Sequence, residues 1–393
     1  MVNPRTRTNN DDDQWNSGEL AEDDRGAIEP LEPESRRARG PVYRRVYTTG
    51  NADLDRQVNE LVGTLTHSVP TGHQPLDSVD LELVREMLTS SLRLITQPST
   101  RAERKLVNAA MKEFAYSFRV FAPYRDLRKV SIFGSARVER GEELYHATQE
   151  FASQIAERGW MVITGAGPGI MAAGHEGAGP AQSFGANIRL PGLNPANAYI
   201  ARDGKLINFK YFFTRKVTFL KESDAFVLLP GGWGTLDECF ELLTLTQTGK
   251  SQIHPIVLLE PEGSTYWRDW LLFIRDNVLR RKYINESDLA LLRVATTPQE
   301  AVDEIERFYS NYRSARFVGE RLVLRIERAP DARTLAYLNE TFGDLLERGT
   351  IEVVEPLPPE LRDEDSLEYK RVAFYPKHAY GRIRQLIDQL NTL

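Results

Sequence analysis

The stretch Pro230-Gly231-Gly232-Trp233-Gly234-Thr235-Leu236-Asp237-Glu238 follows the apolar run Ala225 to Leu229 and leads into the helix-like run Cys239 to Thr248. It reads as strand, glycine turn, helix. Glycines at such a junction let backbone N–H groups approach an anion closely, and the start of the helix adds free N–H donors and a positive partial charge. The stretch is therefore read as a phosphate cradle with carboxylates beside it. Because Asp237 and Glu238 stand where a phosphate would sit, they must face a different part of the ligand. A phosphorylated sugar has that arrangement.

Outward from this stretch, strand and helix signals alternate from Lys129 onward, the pattern of a parallel sheet with helices on both faces. Val130 to Phe133 is strand-like and is followed by Gly134-Ser135-Ala136 and a helix over Glu142 to Arg158. Trp160 to Thr164 is a second strand, followed by Gly165-Ala166-Gly167-Pro168-Gly169-Ile170-Met171 and another helix. A third strand is expected over Ala186 to Leu190, then a loop rich in Pro and Asn, then a helix over Phe212 to Glu222. Beyond the cradle come a strand at Ile256 to Leu259, a helix over Tyr266 to Arg280, a short strand near Val294 and a helix over Pro298 to Tyr312. The expected fold class is α/β, a doubly wound, mainly parallel Rossmann-like sheet, whose ligands sit outside the carboxyl ends of the strands. Glycine turns after Phe133, Thr164 and Leu229 would then gather at one edge.

The Gly165 turn is not a dinucleotide fingerprint. A G-x-G-x-x-G pattern would put its third glycine at position 170, where Ile170 stands, and the strand ending Asn187-Ile188-Arg189-Leu190 offers no acid for a ribose 2′-hydroxyl. The Gly231 turn lacks the Lys-Ser/Thr pair of a P-loop, so neither Mg²⁺ nor a triphosphate is implied.

The chain is longer than one average domain, and four regions are expected. Residues 1–76 carry acidic runs such as Asp11-Asp12-Asp13 and basic ones such as Arg36-Arg37-Ala38-Arg39 with little to bury, and read as a mostly disordered tail; an amphipathic patch over Leu54 to Leu65 could dock on the body. Residues 77–128 hold Leu81, Val84, Leu88, Leu92 and Ile95, then Leu106, Ala110, Phe114, Phe118 and Phe121, at the spacing of two helices. The α/β domain occupies 129–315. Residues 316–393 read as a small α+β module: a strand at Leu322 to Ile326, a helix over Ala332 to Arg348, strands at Ile351 to Val354 and Arg371 to Tyr375, and a helix over Tyr380 to Leu390. A net charge of −6 leaves no general footprint for nucleic acid, so no nucleic-acid partner is expected. A single cysteine excludes an intramolecular disulfide, and with no apolar run of about 18 residues and no signal-like start, the expectation is a cytoplasmic protein without a membrane anchor. The six histidines are scattered and His175-Glu176 lacks a second ligand at metal spacing, so no metal and no cofactor are expected.

Thr214-Arg215-Lys216, upstream of Pro-Gly-Gly-x-Gly-Thr-x-x-Glu and downstream of a glycine-rich turn, resembles the Lonely Guy (LOG) family of nucleoside 5′-monophosphate phosphoribohydrolases in its longer bacterial form. The resemblance runs from about Lys129 to Tyr312. It implies cleavage of the N-glycosidic bond of AMP or of a cytokinin riboside monophosphate, with Glu238 and Arg215 as the catalytic pair, and it implies a homodimer or larger homo-oligomer. The Gly165 turn departs from the family's common triple-glycine form, which bears on base selectivity. The family is often labelled lysine decarboxylase, but no residue here marks a Schiff-base lysine with an acidic partner for a pyridoxal ring.

Chemistry supports the same pair. Breaking an N-glycosidic bond builds positive charge at C1′ and the ring oxygen, so a carboxylate near that carbon stabilises the transition state and can orient water. Glu238 is the candidate. Arg215 could clamp phosphate, hold ribose hydroxyls or keep Glu238 ionised. The candidate substrate and phosphate contacts are Gly231, Gly232, Gly234, Thr235, Gly134, Ser135, Gly165, Gly167, Gly169, Met171 and Lys216. Cys239 reads as a small buried helix residue instead of a nucleophile, and Tyr211 to Phe213 as core instead of a base-stacking platform. The alternative function is a non-catalytic nucleotide-sensing module acting through its flanking segments.

Overall fold

The computed structural model describes residues 47–65, 78–189, 196–362 and 366–393. The chain divides into two units, Met1–Arg104 and Lys105–Leu393. In the first, α1 (Ala52–Leu65) buries Val58 and Val62, one helical turn apart, and is followed by α2 (Ser78–Thr96). Of the expected disordered tail, 1–46 and 66–76 lie outside the described residues; α1 occupies the amphipathic patch between them.

In the second unit, the end of α3 (Arg101–Phe121) buries Phe121 and leads to β1 (Lys129–Phe133), α4 (Glu143–Glu157), β2 (Met161–Thr164), α5 (Ile170–Ala178), β3 (Ser183–Ile188) and β4 (Leu206–Phe209). The chain continues through α6 (Phe212–Glu222), β5 (Ala225–Leu228), α7 (Trp233–Gln247), β6 (Ile256–Leu259), α8 (Tyr266–Phe273), β7 (Leu292–Ala295) and α9 (Pro298–Phe308). The strands form one sheet in the order β4-β3-β2-β1-β5-β6-β7, every pairing parallel. Alternate side chains serve opposite faces, as a strand's two-residue period requires. Val130, Ile132, Val162, Val227 and Val257 join one apolar layer with Phe151, Ile155, Val302 and Ile305 of α4 and α9. Phe133, Ile163, Phe226, Leu228 and Leu258 join the other with Phe219, Leu242 and Trp267 of α6, α7 and α8. The doubly wound α/β reading therefore holds.

Four local expectations need correction. Strand β4 was not expected; it is a four-residue edge strand held by pairing with β3, a non-local contact that leaves little trace in so short a run. The helix expected over Tyr266 to Arg280 is α-helical only to Phe273 and continues as a π-helical turn over Ile274–Leu279. The helix expected to reach Tyr312 stops at Phe308, and Tyr312–Val318 is a strand, β8. The helix expected through Arg348 ends at Thr341, because Leu346–Val354 pairs with a later strand.

That C-terminal region is a four-stranded antiparallel sheet. After β8 come β9 (Arg321–Ile326), α10 (Ala332–Thr341), β10 (Leu346–Val354), α11 (Pro358–Arg362), β11 (Lys370–Pro376) and α12 (Tyr380–Leu390), with sheet order β10-β11-β9-β8. Its apolar side chains Leu324, Phe374, Ile383 and Leu386 belong to the same buried layer as β1, α4 and α9. Glu304 of α9 receives the buried Arg384 of α12, and Gly381 and Gly249 approach Ser287 and Tyr380 so closely that neither has room for a Cβ. The module is fused to the main sheet by a common core.

Candidate active site at the switch point of the sheet

Strand order reverses between β1 and β5, and in a doubly wound sheet the crevice opens at the carboxyl ends of such a pair. The three glycine turns meet there. Ser135 N–H donates to Pro230 O at 3.2 Å, joining the turn after β1 to the one after β5. Ile170 N–H donates to Ser135 O at 3.1 Å, joining the turn after β2. Gly134, Gly169 and Gly231 stand at these crossings. A Cβ on Gly134 would meet Ile170 at 2.6 Å, one on Gly169 would meet Ser135 O at 2.4 Å, and one on Gly231 would meet Thr235 Oγ1 at 2.1 Å. Gly169 also has φ +65°, which favours glycine on its own account.

Helix α7 starts on this crossing. Gly232 is its N-cap, and a Cβ added at Gly232 or Gly234 would meet nothing within 4 Å, so both glycines leave space at the start of the helix. Tyr266 Oη donates to Gly231 O at 2.6 Å and Trp267 Nε1 to Leu228 O at 3.1 Å, so α8 pins the cradle from behind. Trp267 is itself anchored by the buried Glu260, which accepts its backbone N–H at 2.7 Å. Trp233, at the first position of α7, is 89 % exposed.

One helical turn deeper, Glu238 is buried, and the Nζ of Lys216 on α6 lies 3.3 Å from its carboxylate. The same Nζ is 2.9 Å from Asp237 and 2.6 Å from Glu241. Lys216, expected to contact substrate, thus stands among three carboxylates of α7. Burial pushes the Glu238 carboxyl above its ordinary range, opposed by the positive charges of Lys216 and Arg215. Lys216 is raised in turn: its hydrogen bonds to the carboxylates outweigh burial, the largest single influence and one that lowers it.

Arg215 is arranged differently. Its guanidinium lies over the Phe219 ring at 5.3 Å and the Phe212 ring at 5.8 Å, and its buried Nε has no hydrogen-bond partner among the described residues. Burial lowers its pKa, with the Glu238 charge opposing. The guanidinium borders the Gly165 turn: a Cβ on Gly165 would sit 3.0 Å from Arg215 Nη2 and 2.7 Å from Met171 Sδ. Met171 also fills the space beside Gly167, whose N–H points to its sulfur at 3.4 Å. Arg215, Met171, Gly165 and Gly167 therefore form one wall of the crevice, and Glu238 with Lys216 another.

Three features escaped the sequence reading. Glu241 completes the acidic set around Lys216, and its position three residues after Glu238, on the same helix face, is the signal that was available. Glu113 of α3 accepts from Thr214 Oγ1 at 2.5 Å and Lys210 N–H at 2.9 Å, fixing the start of the helix that carries Arg215; nothing local to Glu113 marks it. Phe212 and Phe213 are 50 % and 44 % exposed, against the expectation of core, because α6 directs Thr214, Thr218 and Phe219 inward. Cys239 is buried, which pushes its thiol up to about 12 and leaves no thiolate near neutral pH. Among the described residues no helix is long and apolar enough to cross a membrane.

Residues 168–305 match the sequence family described as "Possible lysine decarboxylase". The chain is similar to the probable cytokinin riboside 5′-monophosphate phosphoribohydrolase LOGL3 of Oryza sativa subsp. japonica, at 38% identity over 96 residues, 24% of this chain and 43% of that protein. It is similar to the cytokinin riboside 5′-monophosphate phosphoribohydrolase LOG4 of Arabidopsis thaliana, at 35% identity over 116 residues, 29% of this chain and 50% of that protein. A longer similarity, 26% identity over 188 residues, covers 47% of this chain and 75% of the enzyme LOG of Oryza sativa subsp. japonica. The chain thus spans less than half the length of the first of these relatives. Among solved structures, the Moco carrier protein from Chlamydomonas reinhardtii aligns at 21% identity with a TM-score of 0.33, over 46% of this chain and 96% of that one.

Proposed function

We propose that the chain carries a Lonely Guy family domain and hydrolyses the N-glycosidic bond of a nucleoside 5′-monophosphate, AMP foremost, to free base and ribose 5-phosphate, a reading supported by the family match and the similarity to phosphoribohydrolases. The observation that carries this reading is the pairing of a buried carboxylate with a guanidinium that has no carboxylate bound to it. Lys216 pairs with the acids of α7 and holds Glu238 in place, while among the described residues no carboxylate binds the Arg215 guanidinium, which leaves it to meet the ligand. A buried Nε with no hydrogen-bond partner among the described residues costs stability, on the order of a few kcal/mol, and an anionic or hydroxyl-bearing ligand would remove that cost.

The 5′-phosphate would rest on the N–H groups at the start of α7, where the helix dipole favours negative charge. Glu238, one turn further along, would then lie near C1′. As the bond to the base lengthens, positive charge spreads over C1′ and the ring oxygen, and the Glu238 carboxylate stabilises it and orients the incoming water. The raised Glu238 pKa follows from the burial that strengthens this interaction, and the positive charges of Lys216 and Arg215 oppose that rise. The indole of Trp233 and the rings of Phe212 and Phe213 offer exposed aromatic surface for a base or a second subunit.

A chromatographic assay of the purified chain across the common monophosphates, without added metal, should show free base and ribose 5-phosphate from AMP. No release from any monophosphate would end this reading; tight nucleotide binding without release would favour a sensing module. We also take the chain to act in the cytoplasm and to assemble at least as a homodimer. Phe212, Phe213 and Val217 of α6 are all more than 40 % exposed, apolar side chains of one helix that association would cover. Light scattering should give at least twice the chain mass, and a monomer at micromolar concentration would refute the assembly.

A further inference from the structure

The turn between β2 and α5 runs against a local preference. Ala166 is fully buried and has φ +62°, a left-handed conformation that disfavours any residue with a Cβ, although glycines stand on either side of it. Such an arrangement persists only where its surroundings over-determine it. Here Thr164 Oγ1 accepts the Ala166 N–H at 3.0 Å. Asn197, from beyond β3, donates its backbone N–H to Ala166 O at 2.8 Å and its side-chain Nδ2 to Gly167 O at 2.9 Å.

His175 of α5 completes the set. Its ring is fully buried, with Nε2 3.0 Å from Phe184 O and 3.0 Å from Thr164 Oγ1. A carbonyl can only accept, so Nε2 carries the proton, and Nδ1 accepts from Asn197 Nδ2 at 3.1 Å. Asn197 Oδ1 is held from the other side by Tyr199 N–H at 3.2 Å. Burial pushes the imidazole pKa down, which keeps the ring in the neutral form this pattern needs. Across the turn from this network lie Met171 and Arg215, packed on Gly165 and Gly167.

We propose that His175 and Asn197 are positioning residues, a clamp that holds the Gly165–Gly169 turn in its left-handed form and so sets the wall against which Arg215 meets the ligand. This rests on the phosphoribohydrolase reading for its functional consequence, but the clamp itself can be tested apart from turnover. If the clamp overcomes the strain at Ala166, a glycine there makes it dispensable.

Hydrogen exchange of the segment 164–171 and calorimetric binding of ribose 5-phosphate are to be compared in wild type, Asn197→Ala and the double variant Ala166→Gly/Asn197→Ala. Asn197→Ala should speed exchange of this segment about tenfold and more than elsewhere in the sheet. It should also weaken ribose 5-phosphate about tenfold, as loss of alignment at a binding wall does. The double variant should recover both to within about threefold, since glycine adopts the turn without strain. Wild-type exchange in Asn197→Ala, or faster exchange spread over the whole sheet without rescue by Ala166→Gly, would overturn the clamp. If Asn197→Ala does not fold, His175→Gln is measured in its place, with the same local signature required. Failure of wild type to bind ribose 5-phosphate would count against the phosphoribohydrolase reading alone, because the exchange pattern decides the clamp independently.

Discussion

Glu238→Gln is expected to lower kcat for AMP hydrolysis by about 10²- to 10³-fold, the loss of roughly 3–4 kcal/mol of transition-state stabilisation, with little change in KM. Gln preserves the shape of the side chain but cannot answer the charge that develops at C1′. The substitution should not weaken the fold. Folding raises the Glu238 pKa, so its contribution to stability is full below the ordinary carboxylate pKa and is lost as pH rises through the raised value. At neutral pH the ionised group therefore gives no stabilisation through this linkage, and Lys216 keeps Asp237 and Glu241 as partners in the variant. Glu238→Gln should melt at the wild-type temperature or above it. The same logic gives a pH signature: wild-type kcat falls as pH drops through a pKa above the usual carboxylate range, and the variant's residual rate lacks that limb. Turnover within tenfold of wild type would remove Glu238 from the chemistry.

Arg215→Met is expected to combine a large functional loss with a stability gain. Met keeps apolar contact with Phe212 and Phe219 but removes the guanidinium whose buried Nε has no hydrogen-bond partner among the described residues. Kcat/KM for AMP should fall by about 10²-fold or more, as when one partner of a charged hydrogen bond to ligand is removed. The melting temperature should stay level or rise by a few degrees, on the order of 1 kcal/mol for a chain this size. Binding of ribose 5-phosphate separates the roles left open for Arg215. If affinity collapses, Arg215 holds the ligand; if affinity persists and only kcat falls, it serves Glu238. A drop in melting temperature with intact turnover would make it a structural residue.

Much of this arrangement was legible in the chain. The strand-turn-helix at Ala225 to Thr248 and the glycine turns after Phe133 and Thr164 stand where expected, because glycine at a strand end and a two-residue apolar period are local signals. Their meeting at one sheet edge also followed, since a doubly wound sheet leaves its crevice at the carboxyl ends of the strands. Boundaries were less legible. Gly343, two residues beyond Thr341, is a helix-stop signal that the apolar period over Ala332 to Arg348 masked, and the pairing of Leu346 onward with β11 completes the break. The edge strand β4 exists through its pairing with β3. Such contacts join residues that no local window contains.

The division between the two levels is clearest in the dipeptide Arg215-Lys216. Side-chain chemistry was enough to nominate the acid Glu238 beside its glycine cradle, and the resemblance to the Lonely Guy family nominated the cations Arg215 and Lys216. Neither could say which cation serves which partner. Successive residues on a helix point about 100° apart, so α6 sends Lys216 to the carboxylates of α7 and Arg215 to the Gly165 turn. The burial that raises Glu238 and strands the Arg215 Nε comes from helices and turns distant in sequence, and only their packing could assign it.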